Sequence, residues 1–166
     1  MTHPLRSERG LTLTELAIVG VLATMVMVGL VGFYINSQAT WTDGSTQAQT
    51  QREATVLLEV MADSVRNSSK AIVTDSPDSL HSMLHLYAFG QLTEKYFFWW
   101  SASDSLVHSG TAISGAGDRG PVVNSKIEVF KLRTLDSTLV EMNLLRARTA
   151  GGQVVRTATR FALYNR

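Results

Sequence analysis

The stretch GLTLTELAIVGVLATMVMVGLVGFYI, residues 10–35, determines how this chain is organised. From Leu16 to Ile35 it contains no charged residue, and nearly every side chain is apolar. About 20 apolar residues in an α-helix span roughly 30 Å, which is the thickness of the hydrocarbon core of a bilayer. We therefore expect an apolar helix over residues 11–35 that is long enough to cross a membrane.

The residues before this stretch, 1–10, are polar and include Arg6 and Arg9. Positive charge on this side orients a spanning helix with its N-terminus in the cytoplasm and the following chain outside. A secretory signal peptide also begins with basic residues, but its apolar region is shorter and ends in a cleavage site of small residues. Residues 36–41 match such a site poorly, so the pattern favours a single retained helix.

One acidic residue, Glu15, interrupts the start of the apolar stretch. A carboxylate within a membrane helix is unfavourable by a few kcal/mol if it reaches the centre of the bilayer, so such groups usually have a partner. Thr12-Leu-Thr-Glu15 has the spacing of a capping box, in which the carboxylate accepts a hydrogen bond from the first backbone amides. Capping explains Glu15 alone, but it does not explain Gly10 and the long apolar run beside it.

Gly10-Leu-Thr-Leu-Thr-Glu-Leu-Ala-Ile-Val19 resembles the processing and methylation signature of type IV pilins and of the pseudopilins of type II secretion. The match is a glycine before the cleavage point, an apolar first mature residue, threonine next, leucine third, glutamate fifth and then a long apolar helix. The resemblance covers residues 6–35, about a fifth of the chain. Leu11 stands where phenylalanine is commonest, and Thr14 stands where an apolar residue is usual.

The resemblance implies a structural subunit, a minor pilin or pseudopilin, of a type IV pilus or a type II secretion filament, and not an enzyme. A prepilin peptidase would cleave between Gly10 and Leu11, and the new Leu11 amine would be N-methylated. Residues 1–10 would then be a leader peptide. Within the filament, Glu15 would face the Leu11 amine of a neighbouring subunit, with Leu13 and Leu16 on the same assembly helix. Opposite charges attract strongly in a low dielectric, and either one alone would be left buried and unpaired.

The resemblance also implies the partners and the location of the chain. The partners are other pilin or pseudopilin subunits, the prepilin peptidase, the inner-membrane assembly platform, and membrane lipid before assembly. The chain would cross the bacterial inner membrane once, with its C-terminal domain outside. It would then move into a pilus or pseudopilus, in the periplasm or at the cell surface, where it serves filament assembly and protein transport.

The remaining residues, 36–166, have the pattern of a globular domain. Residues 36–49 are polar, and Asp43-Gly44 is a candidate interruption of the helix. An amphipathic helix follows, with Thr50-Gln-Arg-Glu53 as a candidate cap. The positions of its buried face recur at helical spacing: Ala54, Leu57, Val60 or Met61, and Ser64 or Val65.

Beyond Asp75 the pattern changes to short β-type runs separated by Gly, Ser and Asp. We predict strands at residues 83–89, 96–101, 106–108, 127–132, 139–147 and 154–164. Val140, Met142 and Leu144 alternate with polar residues, and Ala150-Gly-Gly152 is short enough to join the last two strands as a hairpin. The predicted fold class is α+β, a long N-terminal helix packed on an antiparallel sheet, which is also the pilin fold that the resemblance implies.

The charge of the chain is unevenly distributed, although its formal net value is only +1. From Lys126 onward there are eight Lys and Arg against three Asp and Glu. This block is usually a solvated strand exterior. The alternative is a DNA- or surface-binding minor pilin that uses the basic C-terminal strands. That alternative requires one shared face for five arginines: Arg133, Arg146, Arg148, Arg156 and Arg160.

The densest aromatic run is Tyr96-Phe-Phe-Trp-Trp100. A strand would place Tyr96, Phe98 and Trp100 on one face, with Phe97 and Trp99 on the other. One face is expected to meet the long helix. The other face is either covered by a loop or exposed as a contact for a neighbouring subunit, because aromatic residues are enriched at interfaces.

The sequence favours no metal and no cofactor. It contains no Cys, which excludes disulfides and Cys-ligated metals. His81 and His85 are four residues apart, but the pattern around them is that of a strand, and Asp104 and Asp118 belong to no ligand series. Residues 115–120 have the glycine spacing of the GxGxxG motif of dinucleotide-binding sites. Such a site needs a helix directly after the motif, but Pro121 follows here, so we expect a loop.

Overall fold

The computed structural model describes residues 12–88, 90, 94–111, 118–136, 139–149 and 151–163. The predicted leader, residues 1–10, and the predicted first mature residue, Leu11, lie outside the described residues. The chain divides into two compact units, residues 1–42 and 43–166. A long helix, α1 (Leu13–Arg66), contributes residues to both units.

The polar residues 36–49 are part of α1, so the predicted interruption at Asp43-Gly44 is wrong. Threonine hydroxyls in this stretch donate to backbone carbonyls of the preceding turn, as Thr40 Oγ1 does to Asn36 O at 2.9 Å and Thr46 Oγ1 to Asp43 O at 3.0 Å. Their hydrogen bonds are therefore satisfied within the helix. Extending an existing helix adds one hydrogen bond for each residue that is fixed, which outweighs a single glycine penalty of about 1 kcal/mol.

Thr50-Gln-Arg-Glu53 consequently lies inside the helix and does not cap one, contrary to the sequence prediction. Glu53 has a different role: its Oε2 accepts hydrogen bonds from the backbone amides of Asn124, at 3.0 Å, and of Ser125, at 2.6 Å. This carboxylate joins the helix to the loop that precedes the last three strands.

The strands form two antiparallel sheets in place of the single predicted sheet. The five-stranded sheet follows chain order: β1 (Lys70–Asp75), β2 (Ser82–Tyr87), β3 (Glu94–Ser101), β4 (Leu106–Gly110) and β5 (Asp118–Pro121). The three-stranded sheet does the same: β6 (Ile127–Asp136), β7 (Leu139–Arg148) and β8 (Val154–Ala162). The sequence analysis missed β1, and it assigned Asp118–Pro121 to a loop, although these residues form β5.

The start of β2 lies beside β6, which links the two sheets. His81 and Phe130 form an isolated parallel bridge, and Phe130 N donates to Leu80 O at 3.1 Å. Two residues further on, Leu132 N donates to Ser82 Oγ at 3.2 Å. The two sheets are therefore joined at this point, and both contribute residues to one core cluster.

The core forms where α1 packs on the strands. Of the alternatives that the spacing left open, Met61 and Val65 are buried, whereas Val60 is exposed. Leu57, Met61 and Val65 are completely buried, and Ala54 nearly so. They join one cluster with strand residues that include Phe98 and Phe130. Truncating a buried Leu or Met to Ala typically costs about 2–5 kcal/mol, so this helical face anchors the domain.

Strand β7 departs from simple alternation because it contains a bulge. Val140 and Met142 are buried as predicted, but Leu145 and Ala147 are buried too. The register shifts between Met142 and Leu145, so the inward-facing positions change from even to odd residue numbers. The sequence analysis continued the alternation from Met142 to Leu144, whose side chain lies outside the described residues.

The predicted hairpin between β7 and β8 is confirmed. Thr149 N donates to Gln153 O at 2.9 Å, and Gly152 N donates to Thr149 O at 3.0 Å. Gly152 has a φ of 82°, a conformation that glycine adopts without steric cost. Ala150 of the predicted turn lies outside the described residues.

A shortened chain that begins at Gln38 should fold and stay soluble without detergent. It keeps Leu57, Met61, Val65 and the strands that cover them, and it lacks the apolar stretch. Circular dichroism should show helix and strand together with one cooperative thermal transition. A disordered spectrum would contradict the existence of an independent core in residues 43–166.

The matched control is a chain that begins at Val56. It lacks the buried Ala54 and the Glu53 carboxylate that binds the amides of Asn124 and Ser125. We expect this chain to unfold at a lower temperature than the chain from Gln38, because it lacks the core contacts of Ala54 and the hydrogen bonds from the amides of Asn124 and Ser125 to Glu53.

Candidate functional site

The first turn of α1 holds the carboxylate of Glu15 within its own chain. Thr12 N and Thr12 Oγ1 each donate to Glu15 Oε2 at 2.9 Å, and Glu15 N donates to Thr12 Oγ1 at 3.3 Å. These three bonds form the capping box that the spacing predicted. A cap also suits this end of a helix, where the macrodipole favours negative charge. Capping does not exclude a second partner, because a carboxylate has about four acceptor sites.

The helix surface after Glu15 is apolar and uncovered. Every side chain from Thr12 to Ser45 is exposed, and Leu13 and Leu16 are 87% and 67% exposed. By length and composition α1 could cross a membrane, and none of its apolar window is buried inside the chain. Soluble monomers rarely expose continuous apolar patches larger than a few hundred Å². This surface therefore requires lipid or other protein as a cover.

Three glycines lie in the apolar stretch of α1: Gly20, Gly29 and Gly32. A Cβ atom added at any of them would meet no other atom of the chain within 4 Å. The fold of this chain therefore gives no reason for the small residue at these positions. Small residues allow membrane helices to approach each other closely, so these sites suit packing against a second helix.

Tyr34 and Trp41 form an aromatic pair at the end of the apolar stretch. They are seven residues apart, which places them on one face of the helix two turns from each other, and they are 63% and 76% exposed. Gln38 Nε2 donates to the Tyr34 hydroxyl at 3.1 Å between them. Tyr and Trp are enriched at membrane–water interfaces. The sequence analysis missed this pair. The signal that could have found it is the seven-residue spacing between Tyr34 and Trp41, which puts both aromatic residues on one face of the helix at the end of the apolar stretch.

The two faces of the aromatic run in β3 are as predicted. On the inner face, Phe98 is buried, and Trp100 stacks on His81 with ring centroids 3.6 Å apart. Trp100 Nε1 also donates to Ile127 O at 2.8 Å. Tyr96 packs partly buried against the same core.

The outer face of β3 carries the candidate subunit contacts Phe97 and Trp99. The Phe97 ring covers Gly110, since a Cβ atom there would lie only 2.2 Å from it. Trp99 stacks against Phe97 at 5.0 Å and tilts against His108 at 5.3 Å. Both rings are half-buried, and their contacts among the described residues include other strand residues. A contact with another subunit at this face stays a prediction.

The arginines of the second sheet share its outer face. Residues directly opposite each other in an antiparallel pair lie on the same face. Glu141 is opposite both Arg133 and Arg160, and Arg146 is opposite Arg156. The bulge in β7 is what brings Arg146 and Arg148 outward, since simple alternation would have placed them on the buried side with Met142.

Two glutamates divide this arginine face. Glu128 lies 2.9 Å from Arg146 Nε and also pairs with Arg148, and Glu141 lies 2.8 Å from Arg160 Nε. Within the described part of the chain, Arg133 and Arg156 have no ion pair. The face is therefore basic but partly neutralised. Exposed pairs of this kind contribute about 0–1 kcal/mol each.

The described histidines each pair with one carboxylate and do not converge. The pairs are His81 with Asp78, His85 with Glu94 at 2.5 Å, and His108 with Asp104 at 2.7 Å. The hydrogen bonds from the histidine rings hold the pKa of Asp78 and of Asp104 below the usual value. No group of three or more His, Asp or Glu that could hold a metal occurs among the described residues. The side chain of Asp118, and residues 115–117 of the GxGxxG text match, lie outside them.

No protein-family model, curated protein or solved structure matches this chain. The candidate sites therefore rest on the residues themselves. Of the predicted assembly residues, Leu13, Glu15 and Leu16 lie together on the exposed first turns of α1. The predicted processing residues, Gly10 and Leu11, lie outside the described part of the chain.

Proposed function

We propose that this chain is a minor pilin or pseudopilin, a structural subunit of a type IV pilus or of a type II secretion filament. The observation that supports this most is the apolar helix surface, which no part of the described chain covers and which begins beside a single carboxylate, Glu15. An ordinary membrane anchor needs the apolar surface but not the carboxylate. A filament subunit needs both.

Two environments cover the apolar helix in turn. Before assembly the helix crosses the inner membrane, with Arg6 and Arg9 on the cytoplasmic side and with Tyr34 and Trp41 near the opposite interface. During assembly the same surface leaves the lipid and packs against helices of neighbouring subunits. The glycines on the helix allow close approach of those helices.

The Glu15 carboxylate specifies the register of the packed helices. In the single chain Thr12 satisfies it, which reduces the cost of holding a charge at the edge of the membrane. After cleavage, the Leu11 ammonium of a neighbouring subunit would supply a positive partner for the remaining acceptor sites of the carboxylate. Removal of one member of such a buried pair typically costs about 3–5 kcal/mol.

The strand-rich domain would lie outside the filament core, joined to it by the second half of α1. A long helix packed on antiparallel sheets supports the pilin fold, and Phe97 with Trp99 gives this domain a candidate contact with a neighbour.

Replacing Gly10 with Val should block maturation, because the peptidase must accommodate extended backbone beside the membrane. The measurement is the intact mass of the membrane-associated protein, which in the wild type should correspond to a chain beginning at N-methylated Leu11. The control is Gly20→Val, which makes the same change inside the helix and should leave cleavage intact. A wild-type protein that retains residues 1–10 would refute the proposal.

Replacing Glu15 with Ala should preserve membrane insertion and cleavage but prevent incorporation into filaments. Insertion should become easier because the helix loses its ionised group, whereas the neighbouring Leu11 ammonium would be buried without a partner. Two fractions are measured for the same variant: the processed fraction, and the fraction recovered in sheared filaments.

The control for this variant is Glu59→Ala, which removes an exposed carboxylate from the second half of α1. It should be processed and incorporated like the wild type. Normal incorporation of fully processed Glu15→Ala would mean that Glu15 is only a helix cap, and the role in assembly would be wrong.

A second candidate function is nucleic-acid binding by the same subunit, favoured by the arginines that share the outer face of the second sheet. Binding through phosphates weakens with salt, and the slope of log K against log salt falls by about 1 for each contact removed. Arg156→Ala should therefore weaken DNA binding and flatten its salt dependence. Arg52→Ala, on the helix, should change neither. Equal binding by the two variants would exclude this face as the nucleic-acid site.

A further inference from the structure

Strand β8 ends the three-stranded sheet, and its outer edge makes no hydrogen bond with any other described residue. Successive residues of a strand direct their backbone groups to alternate sides. Thr149 N bonds to Gln153 O, whereas Arg148 N donates to Lys126 O on the side of β6. Because Gln153 bonds towards β7, the backbone N–H and C=O groups of the even-numbered residues point away from β7. These residues are Val154, Arg156, Ala158, Arg160 and Ala162.

Apart from the charges of Arg156 and Arg160, this edge lacks the features that usually protect a sheet edge from another strand. The five-stranded sheet ends in β5, which has four residues, finishes at Pro121 and pairs irregularly with β4. By contrast, β8 has nine residues, VVRTATRFA, without proline, lysine or glycine. At the register shift between β7 and β8 the extra residue belongs to β7, and the other shifts of this sheet lie between β6 and β7, so the backbone of β8 stays regular. A long regular edge of this kind is a template for a further strand.

A groove of about 370 Å³ lies beside the edge, between β8 and α1. Its apolar wall consists of Leu58, Ala62, Phe161 and Ala162, and polar residues line the rest. A strand added to β8 would direct every second side chain towards this groove. Apolar side chains at those positions would cover Leu58, which is only partly buried, whereas Phe161 is already buried in the core.

The other side chains of an added strand would lie on the outer face of the sheet, beside Arg156 and Arg160. Arg160 pairs with Glu141, whereas Arg156 has no ion pair within the described part of the chain. A second copy of β8, antiparallel and centred on Ala158, would set Arg156 opposite Arg160, and like charges directly opposite are destabilising. Charge complementarity thus favours an added strand with carboxylates beside these arginines, and it disfavours pairing with β8 of a second copy of this chain.

We propose that the edge of β8 binds an extended segment of a partner protein in which apolar and acidic residues alternate. The segment would add a fourth strand to the sheet, with its backbone bonded to Arg156, Ala158, Arg160 and Ala162. Main-chain hydrogen bonds supply affinity in this mode of recognition, and alternate side chains supply specificity. This inference does not depend on the filament function.

The test uses the full chain in detergent micelles and a capped peptide that alternates valine and glutamate over nine residues, the length of β8. Fluorescence anisotropy of the labelled peptide should show saturable binding. A peptide that alternates valine and lysine should bind at least about tenfold more weakly, equivalent to about 1.4 kcal/mol. Absence of saturable binding, or equal affinity for the two peptides, would overturn the proposal.

A substitution that removes one backbone amide of β8 distinguishes strand addition from binding by charge attraction to the arginines alone. Ala158→Pro removes an amide that points away from β7, so the existing ladder is kept while the added one is broken. Ala158→Thr keeps the amide and suits a strand. We expect the proline variant to lose peptide binding and the threonine variant to retain it. If both variants bind alike, the peptide is held by charge alone and the proposal fails.

Amide exchange gives an independent readout. On peptide binding, exchange should slow at Arg156, Ala158, Arg160 and Ala162 and stay unchanged at the intervening residues. Uniform or absent protection would overturn the proposal. If circular dichroism shows that Ala158→Pro disturbs the fold, Ala162→Pro at the end of the strand replaces it. The double variant Arg156→Glu with Arg160→Glu should reverse the preference in favour of the lysine peptide.

Discussion

The apolar surface of α1 is the constraint on which the rest of this molecule depends. Burying a Leu, Val, Ile or Phe side chain is worth roughly 1.5–3 kcal/mol, and residues 13–35 expose many of them. The chain does not bury this surface itself in the described structure, so lipid or other protein must do so. The remaining residues then need a core that does not depend on this stretch, and residues 43–166 build one.

The second half of the same helix meets the opposite requirement. Leu57, Met61 and Val65 are completely buried against the strands, whereas Leu13 and Leu16 are exposed. Helix propensity alone does not separate these two environments, because α1 continues through residues 36–49. Side-chain chemistry separates them. The first stretch is apolar all round, and the second is apolar on one face only.

Local patterns in the sequence predicted the parts of the fold that depend on local spacing. The buried helical positions Ala54 and Leu57 and the hairpin between β7 and β8 are confirmed. The features that were missed depend on distant partners: β1 is a strand because it pairs with β2, and Glu53 binds the amides of Asn124 and Ser125. For the candidate site, the spacing predicted the Thr12–Glu15 cap, whereas nothing local predicted which strand would be left at an edge.

The bulge in β7 shows how one non-local feature decides which surfaces are available. It moves Arg146 and Arg148 outward, where Glu128 pairs with both. A polyanion on this face would have to displace Glu128 and Glu141 from their arginines, because phosphate and carboxylate compete for the same donors. A strand added at β8 bonds to the backbone first. Of the two arginines beside it, Arg156 is without an ion pair in the described part of the chain, and Arg160 can keep its pair with Glu141. The two uses of the face therefore make different demands on the same arginines, and strand addition leaves the existing pairs intact.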